Sequence, residues 1–187
     1  MVVSAPNTVL VKPLTQQVLS RRDQIPPQTD LLWRIERGVV RTLSWSEEGT
    51  QIILGYWGPG DIVGYPLSKL SPYVIECLTS VEIRILPEAL WVQALDAIVL
   101  HIQQIEKLLS IVHRNPISLR LWQLLVWLAH KFGRDVEQGR LIDLEITQQE
   151  LAEAINTTRV TVTRLLQQFE LEGRLRRQHR QLVLVVL

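Results

Sequence analysis

The stretch TQQELAEAINTTRVTVTRLLQQF, residues 147–169, constrains this chain more than any other. It spells two short helices joined by a tight turn. Thr147 is placed to cap the first helix, and Glu150 three residues later completes a capping box. Leu151, Ala152 and Ile155 give that helix an apolar face. Asn156 falls at the corner, and Asn enters the left-handed conformation more readily than any residue but Gly. Thr158 caps the second helix, with Arg159 and Val160 in its first turn. At about 100° per residue and Arg159 as zero, Val162, Leu165, Leu166 and Phe169 lie at roughly 240° to 340°. Arg159, Thr163, Gln167, Val160 and Arg164 lie at roughly 0° to 140°. One face is core; the other carries two arginines, a Thr, a Gln and a small apolar residue. That outer face suits a DNA major groove. Arg donates to guanine O6 and N7, Thr reaches bases or phosphate, and Val meets a thymine methyl. A helical hairpin with a merely solvated basic face has the same pattern, so the motif alone does not decide.

Composition sets bounds without naming a partner. The 187 residues are 47% hydrophobic and 21% charged, which fits one or two packed domains and excludes wholesale disorder. Net charge is only +1, so any nucleic-acid argument must rest on where the charges lie. Across residues 147–187, six arginines oppose four glutamates, an excess of +2 beside the presumed contact face. A single cysteine, Cys77, excludes an intrachain disulfide and a thiolate cluster within one chain. No apolar run reaches membrane-span length and no signal-peptide pattern opens the chain, so a soluble cytoplasmic protein is expected. No Gly-rich phosphate loop, metal-ligand spacing or nucleophile–base pair is present, and neither an enzyme nor a cofactor or metal site is expected.

The segment TQQELAEAINTTRVTVTRLLQQFELEG resembles the helix-turn-helix of the CRP/FNR family of bacterial transcription regulators. TTRVTVTRLL is especially similar to its NtcA branch, the cyanobacterial nitrogen regulators. The resemblance implies a homodimer that reads double-stranded DNA, with a half-site pattern like GTA-N8-TAC. Candidate DNA contacts on the second helix are Arg159, Val160, Thr161, Thr163 and Arg164. Thr157 and Thr158 would contribute from the turn, and Thr147 and Gln148 from the start of the first helix. Relatives nearer the cAMP receptor protein carry a glutamate where Val160 stands. Its loss removes an acceptor for cytosine N4 and shifts the preferred half-site.

The rest of the chain reads in the matching order. Pro26-Pro27 marks a break after an uninformative start, in which Val9–Val11 reads as a short strand and Leu14–Arg22 as a short helix. Strand-like runs follow at 31–35, 39–45, 52–57, 74–79 and 82–86, punctuated by Gly and Pro. ERGVVRTL, EEGTQIILGYWGPGDIVG and ECLTSVEIRILP resemble the family's cyclic-nucleotide-binding-type β jelly roll. Pro87 to His113 reads as one long helix with an apolar stripe. In the family this helix packs on its symmetry mate, which implies a dimer interface of Ala94, Ile98, His101, Ile105, Leu108, Leu109 and Val112. The alternative is that the stripe only covers the chain's own barrel. Asn115-Pro116 breaks the helix, and ISLRLWQLLVWLAHKF forms an apolar helix beyond it. Residues 173–177 and 182–187 bracket Gln178-His179-Arg180 as a β-hairpin wing whose arginines face phosphates. Arg177, His179 and Arg180 are its candidate contacts. The expected architecture is an α+β fold: jelly roll over 1–86, dimerisation helix over 87–115, winged helix-turn-helix over 116–187.

What the β-rich part lacks bears on its ligand. Cyclic-nucleotide-binding relatives carry a Gly-Glu pair for the ribose and an Arg followed by Ser or Thr for the phosphate. Here Tyr65 follows Gly64, and SKLSPYVIECLTS has no arginine. A buried phosphate would go uncompensated, at a cost of several kcal/mol. NtcA-type proteins hold 2-oxoglutarate through an arginine and a glutamate on the long helix; the matching positions are Leu100 and Ile105. Cys77 reads as a buried structural thiol, and His101 and His113 as packing or interfacial groups. The leading expectation is a DNA-binding regulator without cyclic nucleotide. A sensor gated by an unidentified effector such as 2-oxoglutarate, and a module that recruits RNA polymerase, are the alternatives.

Overall fold

The computed structural model describes residues 16–185. Two antiparallel sheets form the N-terminal part. One has the order β1-β7-β2-β5, from Gln16–Leu19 (β1), Val81–Pro87 (β7), Leu31–Arg37 (β2) and Ile62–Val63 (β5). The other has the order β4-β3-β6, from Gln51–Trp57 (β4), Val40–Trp45 (β3) and Val74–Cys77 (β6). The β3–β4 hairpin turns at Gly49, whose φ of 79° is why that corner takes glycine. Trp33, Ile35, Val40, Trp57, Val63, Ile75, Cys77, Val81 and Ile83 meet between the sheets, each 0–1% exposed. A water-sized gap would leave area on the residues around it, so this interior is filled by side chains.

Of the segment expected as a helix over Leu14–Arg22, the described part, residues 16–22, is instead β1 followed by a turn. Gln16 to Leu19 pair with Arg84 to Val81. An open edge of β7 offers a full row of backbone partners, and that pairing outweighs the weak helical pattern of a four-residue stretch. Val9–Val11 lies outside the described residues.

The long helix is also divided. Glu88–Ala94 is a 3-10 helix, with the Trp91 indole donating to the Leu86 carbonyl at 3.1 Å, and the α-helix α1 runs Leu95–Val112. After Asn115-Pro116 comes α2 (Ile117–Phe132), which buries Leu121, Leu124, Leu125 and Leu128 but leaves Leu119 partly exposed. It stops at Gly133, where a Cβ would sit 2.1 Å from the Ala129 carbonyl oxygen. A strand with no clear signal in the sequence begins there. β8 (Gly133–Val136) pairs with β9 (Gly139–Ile142), and the sheet order is β10-β11-β9-β8. Its other members are β10 (Leu175–Gln178) and β11 (Gln181–Leu184). Between β9 and β10 lie α3 (Gln148–Ala154) and α4 (Arg159–Leu171).

One apolar cluster joins these parts, taking in Leu43 and Tyr56, Leu108 and Ile111 of α1, Leu124 and Leu128 of α2, and Leu151 and Phe169. Two polar bridges cross the same junction. Arg41 of β3, 8% exposed, donates to Glu76 of β6 at 2.7 Å and to Glu153 of α3 at 3.3 Å. Asp61 pairs with Lys131 of α2 at 2.7 Å and accepts from Gln104 of α1 at 2.8 Å. Both bridges are largely dry, so they orient the helix-turn-helix against the β-sheets more than an exposed pair would.

Candidate nucleic-acid interface

Local chemistry builds the two-helix unit. The Thr147 hydroxyl accepts from the Glu150 amide at 3.1 Å, and the Glu150 carboxylate accepts from the Thr147 amide at 2.6 Å, closing a capping box on α3. Asn156 turns the corner at φ 51°, and the Thr157 amide donates to the Ala152 carbonyl at 2.9 Å. Thr158 caps α4 by accepting from the Thr161 amide at 3.2 Å. Arg120 of α2, unremarked in the sequence, donates to the Ile155 carbonyl at 2.8 Å and so satisfies the frayed end of α3. Thr147→Ala should cost about 1 kcal/mol, seen as a melting temperature lower by roughly 2–4 °C. An unchanged melting temperature would show that the box does not persist in solution.

The two faces of α4 separate as their rotation dictates. Val162, Leu165, Leu166 and Phe169 are 0–4% exposed. Arg159, Val160 and Arg164 are exposed, Val160 at 78%. Neither arginine side chain has a hydrogen-bond or acidic partner among the described residues. Thr161 and Thr163 are half-buried. The Thr163 hydroxyl touches both the Gln148 side-chain amide and, at 2.9 Å, the Arg159 carbonyl. One hydroxyl has one proton. It goes to the shorter contact: the Thr163 hydroxyl donates to the Gln148 side-chain oxygen, with the Arg159 carbonyl as its second neighbour. Gln148 and Thr163 thus tie α3 to α4, which leaves Arg159, Val160 and Arg164 as the free outer face.

The wing arginines differ among themselves. Arg174 is not a free phosphate contact: its guanidinium stacks 3.9 Å from the Trp122 ring centroid and pairs with Glu172 at 3.2 Å. Arg177 is held by Glu170 at 2.9 Å. His179 sits at the hairpin tip with φ 56°, and Arg180 is exposed beside Glu145 at a loose 3.8 Å. Arg177, His179 and Arg180 line one concavity with Thr147 and Gln148.

The stripe expected as an interface on the long helix splits in two. Ala94, His101 and Leu108 are 9%, 5% and 3% exposed and pack against the chain's own sheets and helices, so they are corrected from interface to core. The His101 ring stacks on Trp57 at 3.8 Å and its Nδ1 lies 3.0 Å from the Ile62 carbonyl, which only accepts, so Nδ1 carries the proton. Burial lowers its pKa, consistent with a neutral packed ring. Val112 and Ile98 are half-buried, and Val112 packs on the main cluster. Ile105 and Leu109 remain exposed, joined by Leu95, Val99 and Ile102, which the periodic stripe does not include. Taking Leu95 as zero, these five and Ile98 fall between roughly 280° and 40°, one continuous face of α1. His113 is exposed, its Nδ1 2.9 Å from the Leu109 carbonyl.

Elsewhere, Tyr65, which stands after Gly64, packs edge-on against Tyr73 at 5.3 Å. Cys77 is buried, which pushes its thiol pKa up to about 12. Among the described residues no cluster of three or more His, Cys, Asp and Glu is arranged to hold a metal. No described helix is long and apolar enough to cross a membrane.

Comparison with known proteins agrees with this geometry. Residues 119–187 match the Crp-like helix-turn-helix domain family. The chain is 40% identical over 169 residues to the regulatory protein CysR of Synechococcus elongatus, covering 89% of this chain and 82% of that protein. It is 42% identical over 65 residues to the global nitrogen regulator of a Nostoc species, which is 35% of this chain and 29% of that one. The NtcA-like similarity is therefore confined to about a third of the chain. A crystal structure of a CRP-family transcriptional regulator from Thermus thermophilus covers 91% of this chain and 92% of its own, with a TM-score of 0.78. At 20% identity that likeness is one of fold. With a cyclic-nucleotide-binding-like β-domain, a helix-turn-helix and a relative this similar over most of its length, the chain belongs to the CRP/FNR family of transcription regulators.

Proposed function

We propose that the protein acts in the cytoplasm as a homodimeric, sequence-specific DNA-binding regulator, with α4 in the major groove. The observation that carries this reading is the outer face of α4: two arginines unpartnered among the described residues and a 78%-exposed valine, opposite a fully buried stripe. A surface Val between two Arg has no packing reason to be there, but it matches a thymine methyl between guanines. Arg159 and Arg164 carry base and backbone contacts and Val160 reads the methyl. The exposed face of α1 joins two protomers, so that two recognition helices meet successive turns of a palindrome. A GTA-N8-TAC pattern is the half-site implied by Thr157 to Arg164, and promoter-bound dimers would then meet RNA polymerase.

The β-rich part serves in this proposal as a scaffold, not a cyclic-nucleotide pocket. Its interior is filled, with Trp33 and Trp57 each 0–1% exposed, and its buried arginine, Arg41, is already paired with Glu76 and Glu153. Leu100, at the position where 2-oxoglutarate binders carry arginine, is an exposed apolar residue. Fluorescence anisotropy on the palindrome and a scrambled duplex, over a salt series and with no added ligand, tests the proposal. Palindrome-selective binding is expected. Arg159→Ala should erase about 1–3 kcal/mol of discrimination per half-site while leaving the fold intact. Equal affinity of the wild type for both duplexes would overturn sequence-specific reading without an effector.

A further inference from the structure

We infer that the β-rich part contributes its own DNA-backbone contact, Arg21, to the surface formed by the helix-turn-helix and wing. This rests on the DNA-binding reading above and adds a residue outside the matched segment 119–187. A concavity of about 360 Å³ brings Arg21 together with Thr147 and Gln148 at the start of α3 and with Arg177 and Arg180 of the wing. Arg21 and Arg180 share one carboxylate there, Glu145, while Arg177, held by Glu170, lines the same surface beside them.

The backbone that presents Arg21 is clamped. The Ser20 amide donates to the Asp23 carboxylate at 2.8 Å, and the Asp23 amide donates back to the Ser20 carbonyl at 3.1 Å. The Arg22 amide donates to the Cys77 carbonyl at 2.7 Å, and the Cys77 amide to the Asp23 carbonyl at 2.9 Å. Cys77 is 1% exposed in the sheet interior, so the turn is pinned to the most rigid part of the domain. The side chain itself is free to exchange partners. Its contact to Glu145 is 3.6 Å, that of Arg180 to the same carboxylate is 3.8 Å, and the Arg21 and Glu145 side chains are 41% and 49% exposed. Long, wet pairs of this kind hold little, whereas a phosphate offers a guanidinium two charge-assisted acceptors. Glu145 keeps the two arginines oriented without DNA and yields them when a phosphate arrives.

The test is DNA binding by the full chain across a salt series, on the palindrome and on a scrambled duplex of equal length. Arg21→Gln should lower the slope of log affinity against log salt by about 0.9 per protomer, and equally on both duplexes. Arg21→Lys should keep most of the slope, because it keeps the charge. Glu145→Gln should tighten binding; a pair with a purely structural role predicts instead that losing either partner weakens it. An unchanged slope in Arg21→Gln, with selectivity still lost in Arg159→Ala, overturns this inference and leaves the DNA-binding reading standing. Absence of salt-dependent DNA binding by the wild type overturns both.

Discussion

Ile102→Asp should turn the protein into a monomer and lower its affinity for a palindromic duplex by about 10²–10⁴-fold, the range that linking two modest binding events supplies. Ile102 lies in the middle of the outward face of α1, 52% exposed, with Leu95, Val99, Ile105 and Leu109 about it. No described residue of the chain covers this face. A symmetric dimer meets each substitution twice, so two carboxylates would enter one apolar seam. Each buried, unpaired charge costs several kcal/mol. Folding of the single chain should be little affected, because the new carboxylate is solvated in the monomer. Sedimentation velocity reads the assembly state and anisotropy the affinity. A variant that stays dimeric at unchanged affinity would place the interface elsewhere. His101 makes the contrast: turned about 100° round α1 from Ile102, it is stacked on Trp57, and its substitution damages the chain's own core.

Lys131→Met should destabilise the fold by about 3 kcal/mol, near the lower end of what a broken buried ion pair costs. That corresponds to a melting temperature lower by roughly 6–12 °C for a chain of this size. Asp61 is 14% and Lys131 15% exposed at the side chain, and their contact of 2.7 Å spans the β-rich part and α2. Removing the ammonium leaves Asp61 with the Gly58 amide at 2.7 Å and Gln104 at 2.8 Å but with no cation. The ammonium also lies over Trp57, Phe132 and Trp127 at 5.4, 5.5 and 5.9 Å, and those contacts go with it. Adding Asp61→Asn to Lys131→Met should return part of the loss, because a neutral amide does not demand a counter-charge. A double-mutant cycle measures that coupling. A shift below about 2 °C for Lys131→Met would mean that solvent screens the pair, as it does for ordinary surface bridges.

The parts of the molecule written in neighbouring residues were readable before any fold was known. Thr147 with Glu150, Asn156 and Thr158 each act over a few positions, and the caps and the left-handed corner lie where those residue types put them. The two faces of α4 follow from rotation alone, because only one of them is apolar. Gly49 between two alternating runs likewise sufficed for the β3–β4 hairpin.

Other features depended on what the rest of the chain placed alongside. The helix α1 is apolar on two sides, and periodicity does not say which side its own domain will cover; docking on the sheets buried His101, Leu108 and Ile111 and left Leu95, Val99 and Ile102 outside. Residues 16–19 became a strand because β7 had a free edge. Arg174 looked like a phosphate contact by its place in a basic cluster, but Trp122, 52 positions earlier in the chain, took its guanidinium as a stacking partner. Arg41 reaches Glu153 across 112 residues, and Arg21 meets Glu145 across a comparable span. A capping box or a helical face is a short-range preference of the backbone, repeated wherever its residues occur. An ion pair between distant segments exists only once topology has brought its two ends together, whether nearly dry as in Arg41–Glu153 or wet as in Arg21–Glu145.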